Sequence, residues 1–154
     1  MSASRLAFVR KVWQSFIDAK GLETTILSGA TIKSADAGTI TAGFKVQRHQ
    51  LNRMGGLHGG VLAACVDTFG SMALSSKGLY STGVSTDLSV SYLRGSKEGD
   101  DISVVARVDA QGRNLGYTSV DIFNSQTGKL LAQGRHTKFI APALTDERNV
   151  DLGQ

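Results

Sequence analysis

The stretch "LNRMGGLHGGVLAACVDTFGSMAL", residues 51–74, decides how the rest of the chain must be arranged. From Gly60 to Leu74 it is mostly Val, Leu, Ala, Cys, Phe, Met and Gly, with no lysine, arginine or glutamate. A helix that is apolar nearly all round is a buried one, so the other elements have to wrap it. One charge stands inside it, Asp67. Ala63, Ala64, Gly70 and Ser71 lie three or four residues from Asp67 and share its face. Their small side chains leave room for another backbone or a ligand. Leu62, Val66, Phe69 and Ala73 form a second, bulkier face suited to a sheet.

A buried carboxylate is costly unless it is paired, hydrogen-bonded or protonated, and no base lies within a turn or two on this helix. Asp67 therefore reads either as an acid bonded to a nearby backbone or serine, or as a general base or nucleophile facing a cavity. The start of the helix favours the second reading. Gly59 and Gly60 put free N–H groups and the positive end of the dipole there, and glycine lets other atoms approach closely. Such a site suits a developing oxyanion, as in acyl transfer. His58 just before it reads as a capping or packing residue rather than a base. Gly59 and Asp67 are roughly 12 Å apart along the axis at about 1.5 Å per residue, whereas reacting atoms must meet at about 3 Å. One helix cannot serve one site with both groups. Two antiparallel copies can, so the spacing predicts a symmetric dimer with two shared sites.

Outward from the helix the pattern is that of strands. "GTITAGFKV" alternates Ile40, Ala42, Phe44 and Val46 against polar or small residues. "VSTDLSVSYL" sets Val84, Thr86, Leu88, Val90 and Tyr92 on one face and Ser85, Asp87, Ser89, Ser91 and Leu93 on the other. "DISVVARV", "LGYTSVDIF" and "LLAQGRHTKFI" follow, with "AQGRN" and "NSQTGK" as turns. Such a meander has one apolar face to cover, and the long helix covers it. The expected fold class is α+β, an antiparallel sheet wrapped around a long central helix with an extra N-terminal helix over about residues 1–21. The polar tail after Pro142, residues 141–154, is expected to fray.

The 154 residues are one domain's worth, 1–154. A net charge of +4 and a pI near 9.4 favour anionic partners. The basic residues are scattered and no aromatics interleave with them, so a small phosphorylated ligand fits better than nucleic acid. No stretch approaches the roughly 20 apolar residues of a membrane span. The one cysteine, Cys65, has no internal partner and reads as a small buried hydrophobe in a reducing compartment. "MSASRLAFVRKVWQSFIDAK" has no acid before Asp18 and faintly resembles a mitochondrial presequence. Its stripe of Leu6, Val9, Trp13, Phe16 and Ile17, ended by Lys20 and Gly21, reads more readily as a docked helix. The expected location is cytoplasmic, with the mitochondrion as the alternative.

"LHGGVLAACVDTFGSMAL", together with "GVSTDLSVSYL", "AQGRNLGYTSVDIFNSQTGKLLAQGRHTKF" and the leading "GTITAGFKV", resembles hotdog-fold acyl-CoA thioesterases. The likeness is to the phenylacetyl-CoA thioesterase and thioesterase superfamily member 2 type, and it covers roughly residues 5–140. It implies a hotdog fold, homodimers paired into tetramers, and hydrolysis of a fatty or aryl acyl-CoA to free acid and CoA. No metal and no cofactor is implied beyond the CoA of the substrate. By this resemblance Asp67 matches the general base or nucleophile and Gly59 the backbone donor to the thioester carbonyl. Asn52 matches a side chain that positions water or thioester, His58 its support, and Ser85 a serine orienting water on the partner side. Tyr92 and the turn residues Ala110, Gln111, Gly112, Arg113, Asn114 and Leu115 match the CoA grip, to which Arg94 and Lys97 could add. Ala110, Gly95 and Phe139 depart from a relative's lysine, proline and second histidine. An acyl tunnel at the subunit interface is expected along Met54, Leu57, Val61, Leu62 and Phe69.

Two other readings compete. A hydratase or dehydratase on this fold needs a His–acid pair at the substrate, and His58 is poorly placed for one. A non-catalytic acyl-CoA sensor is expected to lack the acid or carry a further domain.

Overall fold

The computed structural model describes residues 3–153. Its elements run α1 (Ala3–Asp18), α2 (Glu23–Ile26), β1 (Thr31–Asp36), β2 (Thr39–Lys45), α3 (Gly59–Ser75), β3 (Val84–Tyr92), β4 (Asp101–Gln111), β5 (Leu115–Asn124) and β6 (Leu130–Phe139). The six strands form one antiparallel sheet in the order β1-β2-β4-β5-β6-β3. The sheet curls around α3, whose residues 65 and 66 and 68–75 are all buried. This is the α+β arrangement that the apolar helix requires.

The bulky face of α3 meets the sheet as expected: Leu62, Val66, Phe69 and Ala73 are buried. Val66 lies over Gly134 of β6, where a methyl group would overlap the two Val66 methyl carbons. Phe69 also meets Trp13 of α1, ring centroids 5.9 Å apart. α1 is docked by Phe8, Val9, Val12 and Trp13, all buried, and the Trp13 indole N–H donates to the Ala30 carbonyl at 3.2 Å. The helix ends at Asp18, and the residue in the left-handed region beyond it is Lys20 (φ 54°) rather than Gly21.

Two features differ from the sequence expectation. β1 and the short α2 lie between the first helix and the first expected strand. β1 hides its pattern because a bulge between Ile32 and Ser34 spaces its buried residues, Ile32 and Ala35, three apart. The tail does not fray but is tied down. The Asn149 side chain accepts from the Tyr80 N–H and donates to the Ala143 carbonyl, and the Val150 N–H bonds to the Gly78 carbonyl. Arg5, buried in α1, donates to the carbonyls of Ser76, Leu152 and Gly153. A segment whose polar groups find internal partners has no reason to leave the surface.

β3 stands at the sheet edge, hydrogen-bonded on one side to β6 alone. It is the most exposed strand, with Val84 63%, Tyr92 56% and Leu88 36% accessible. Among the described residues no helix is long and apolar enough to cross a membrane.

Candidate active site

α3 begins at Gly59 with His58 as its N-cap. His58 Nδ1 accepts from the Gly60 N–H at 2.8 Å, and the Val61 N–H bonds to the His58 carbonyl. A ring nitrogen that accepts here holds no spare proton-accepting role, which places His58 as a cap. The Gly59 N–H has no acceptor among the described residues and points outward at the positive end of the helix. Tyr92 of β3 roofs this end, its hydroxyl donating to the Gly59 carbonyl at 3.2 Å. Gly59, Tyr92, Leu57, Leu62 and Arg94 line one shallow groove. Asn52 closes the preceding loop: its Oδ1 accepts from the Met54 and Gly56 N–H groups at 2.9 and 3.1 Å. The Asn52 amide nitrogen has no acceptor among the described residues and remains available as a donor.

Asp67 lies two turns further along. Its side chain is 51% exposed in the single chain, so the expectation of a buried carboxylate is corrected. The side chain opens into a cavity of about 240 Å³. The cavity is walled by the small face of α3 (Gly60, Ala63, Ala64), by Leu22, Glu23 and Ile26 around α2, and by Leu88 of β3. The expected apolar lining is corrected too. Val61 and Phe69 belong to the core, Met54 is 84% exposed, and of that set only Leu57 and Leu62 border the groove at Gly59.

Behind Asp67 stand partners that the helix alone did not reveal. His136 Nε2 of β6 lies 2.8 Å from Ser85 Oγ and 3.5 Å from Asp67 Oδ1, and Ser85 Oγ lies 3.4 Å from the same carboxylate oxygen. His136 Nδ1 is buried without a partner. An unmet acceptor is cheaper than an unmet buried donor, which assigns the imidazole proton to Nε2. The bonds then run His136 Nε2–H to Ser85 Oγ, and Ser85 Oγ–H to Asp67. Burial holds His136 below its ordinary value. Asp67 works against that shift, Lys138 with it and Asp87 against it, so His136 is neutral around pH 7.

Ser85 reaches this position through a bulge. The register of β3 against β6 shifts between Ser85 and Asp87, which turns Ser85 onto the inner face with Leu88. Strict alternation had put it on the opposite face. The basic pair of β6 was legible in principle: Ala132, Gly134, His136 and Lys138 alternate along the strand's buried face. Gly70 lets that strand come close, since a side chain there would meet Thr118 Oγ1 at 2.6 Å and His136 Nδ1 at 3.2 Å. The small stripe of α3 thus serves two purposes, cavity wall at its start and close packing at its end.

The sequence-derived residues fall into separate groups within one chain. Gly59, Asn52, His58 and Tyr92 gather at the start of α3, and Asp67 with Ser85 lies about 12 Å along the axis. The turn after β4 is a third location. Gly112–Asn114 joins Gln111 to Leu115, Ala110 and Gln111 pair with Tyr117 and Gly116, and the Asn114 carbonyl accepts from the Ile140 N–H. Arg113 is exposed and has no partner among the described residues. Leu115 faces Phe139 and Tyr92 faces Ala132 on β6, so the turn and Tyr92 lie roughly 23 Å apart at about 3.3 Å per residue. One chain does not bring the two parts of the expected CoA grip together. No cluster of metal-ligating side chains occurs among the described residues.

The family model of the Thioesterase superfamily matches residues 54–131, from the loop before α3 into β6. Acyl-coenzyme A thioesterase 13 of Homo sapiens is 40% identical over 132 residues, spanning 86% of this chain and 94% of that protein. The crystal structure of zebra fish thioesterase superfamily member 2 superposes with a TM-score of 0.81 at 38% identity, covering 87% of this chain and 96% of that one. A thioesterase protein from Streptococcus pneumoniae, solved with coenzyme A, superposes at 0.68 and 28% identity over 73% of this chain and 88% of its own. Sequence, strand order and central helix agree, and the chain belongs to the thioesterase superfamily, with its hotdog fold.

Proposed function

We propose that the protein hydrolyses acyl-CoA thioesters, with a fatty or aryl acyl group, to free acid and CoA. The observation that carries the reading is the pair of groups set along α3. One is an unpartnered N–H at Gly59, and the other is a half-exposed carboxylate at Asp67 facing a cavity. Water adds to the thioester carbonyl carbon as Asp67 takes its proton. The oxyanion is held by the Gly59 N–H, at the positive helix end, and by the Asn52 amide. Collapse breaks the C–S bond, and the departing thiolate receives the proton that Asp67 took. Ser85, held by His136, fixes the carboxylate and the water. Direct attack by the Asp67 carboxylate uses the same groups.

The two halves come from two copies. The exposed edge of β3 is an unsatisfied row of backbone groups with apolar Val84 and Leu88 on it. Pairing it with the same strand of a second copy supports antiparallel α3 helices, Gly59 of one facing Asp67 of the other. Pairing of such dimers into a tetramer would bring the Ala110–Leu115 turn, with Arg113, to the CoA phosphates. The structure with coenzyme A among the relatives supports a CoA ligand. A hydratase reading gains a His–acid pair in His136 and Asp67, but His136 is 1% exposed and cannot touch substrate. We assign the activity to the cytoplasm or the mitochondrial matrix, where Cys65 stays reduced.

The test is thiol release from acetyl-, medium-chain, long-chain and aryl-CoA thioesters, by wild type and Asp67→Asn side by side. Turnover lost in the variant is expected. Binding without thiol release in wild type would move the protein to the sensor class.

A further inference from the structure

The cavity that Asp67 opens into carries a second acid for which the proposed reaction has no use. Glu23, the first residue of α2, lines it, while Leu22 and Ile26 around the same turn and Leu88 of β3 supply apolar surface. Thr68 is the one other polar side chain on the wall, and no basic residue borders the cavity among the described residues.

Glu23 is half-buried, and its carboxylate makes no hydrogen bond or ion pair among the described residues. Gly21 leaves room for it, since a side chain there would meet Glu23 Oε2 at 3.1 Å. An acid in the first turn of a long helix gains from the dipole. α2 is only four residues long, with none of them buried, and a single turn has little dipole to offer. The carboxylate does little to hold α2 in place; what it sets is the charge of the space that α2 encloses.

That charge runs against the rest of the molecule. The chain as a whole carries +4, which draws anions towards it, the phosphates of CoA among them. Inside the cavity the sign is reversed. A carboxylate brought there on an acyl tail would give up water and face Asp67 and Glu23 with no cation on the wall to pair with. Like charges repel strongly where water is displaced. A neutral tail meets the apolar side chains instead and bears no such cost.

We infer that Glu23 is a specificity residue: its carboxylate, unpartnered on the cavity wall, turns away acyl groups that end in a negative charge and admits neutral ones. The excluded class is the CoA monothioesters of dicarboxylic acids. This rests on the reading of the cavity as the seat of the acyl group of a CoA thioester. Selection by a repulsive group is a common way to separate two ligands of equal length. Here the group stands on α2, ahead of residues 54–131 that match the family model, so the element that chooses the acyl group is separate from the helix that carries the chemistry.

Two measurements test it. The first is kcat/KM for hexanoyl-CoA and adipoyl-CoA, equal in length and different only in the terminal carboxylate, and for shorter and longer pairs of the same kind. Wild type is expected to prefer the neutral member. Glu23→Gln is expected to raise the adipoyl-to-hexanoyl ratio by about 10-fold, and Glu23→Lys to raise it further. The chain length at which the ratio moves most then reports how far Glu23 lies from the thioester. A ratio that is the same in all three proteins, whatever the change in absolute rate, overturns the proposal. The second measurement needs no turnover: equilibrium binding of an S-hexyl-CoA thioether and its terminally carboxylated counterpart. Wild type is expected to bind the neutral thioether more tightly, with the difference shrinking in Glu23→Gln. Equal affinity in wild type, or binding of neither, overturns the proposal even if a variant fails to fold. If the thioethers are told apart through Glu23 by a protein that releases no thiol from any ester, the charge selection stands and the hydrolytic reading falls.

Discussion

The Tyr92 hydroxyl donates to the Gly59 carbonyl at 3.2 Å, and a methyl group placed on Gly59 would meet the Tyr92 ring at 3.3 Å. An edge-strand side chain therefore roofs the first residue of the central helix, leaving just enough room for a residue without a side chain. The outward N–H of Gly59 depends on that roof staying in place.

Gly59→Ala is expected to keep the fold, because the first turn of a helix tolerates alanine well. The added methyl displaces the Tyr92 ring by a few tenths of an ångström and narrows the approach to the N–H. Loss of an oxyanion donor costs about 100- to 1,000-fold. Crowding one is expected to lower kcat/KM by about 10-fold, with melting temperature nearly unchanged. Wild-type kinetics in Gly59→Ala would separate this helix end from the reaction.

Asp67→Ala and a bulkier Gly59→Val are each expected to be inactive. If each site draws on two copies, mixed dimers hold one site with both groups intact. Co-refolded protein should then recover a substantial part of the activity of wild-type dimers. Inactive heterodimers, verified by differential tagging, would mean that each chain works alone.

Stability should follow pH through the two basic residues of β6. The folded Lys138 value of about 8 lies below its ordinary 10.5. Between those values the unfolded chain holds a proton that the folded chain does not. Stability therefore falls as pH drops from 10.5 to 8, by on the order of 3 kcal/mol. His136 is also lowered, chiefly by burial, so a further fall begins as pH drops below its ordinary 6.5. Urea midpoints measured across both windows check this. A wild-type curve no steeper below pH 6.5 than that of His136→Gln would remove the histidine from the account. By the same reasoning Lys138→Met should be more stable than wild type at neutral pH.

Gly134→Ala tests how closely the sheet rides on α3. The new methyl overlaps the methyl carbons of Val66, which is fully buried and has nowhere to turn. Overpacking of this kind costs about 1–3 kcal/mol. Val66→Ala in the same chain should restore most of the loss, as read by thermal melts. A double variant no more stable than Gly134→Ala alone would place the strain elsewhere.

How far the sequence carries is clear from particular residues. The central helix is legible because its apolar residues fill every face, and five strands because their apolar residues alternate along most of their length. β1 escapes because its bulge breaks the alternation. Ser85 is reached by resemblance, yet its inward aim is hidden, again because a bulge in β3 shifts the phase by one residue. Asp67 and Gly59 are legible as a pair that one helix cannot bring together. What the helix could not show was who stands behind the aspartate. That information sits about 70 residues away on β6, where His136 and Lys138 keep step with Ala132 and Gly134. Two polar residues in phase with a buried face are a signal that can be read in a strand, once the strand's neighbours are known.

Arg5 joins the first helix to the last described residues, its guanidinium shared between the carbonyls of Ser76, Leu152 and Gly153. The two ends of this fold therefore emerge side by side. A linker of a few residues between positions 153 and 3 would close the chain into a ring, and cutting it in the exposed turn at 125–128 would give a circular permutant. That permutant would begin with the strand bearing His136 and Lys138 and end with β5. The sheet would still close around the same helix, because the order of elements along the chain is not what holds them together in space.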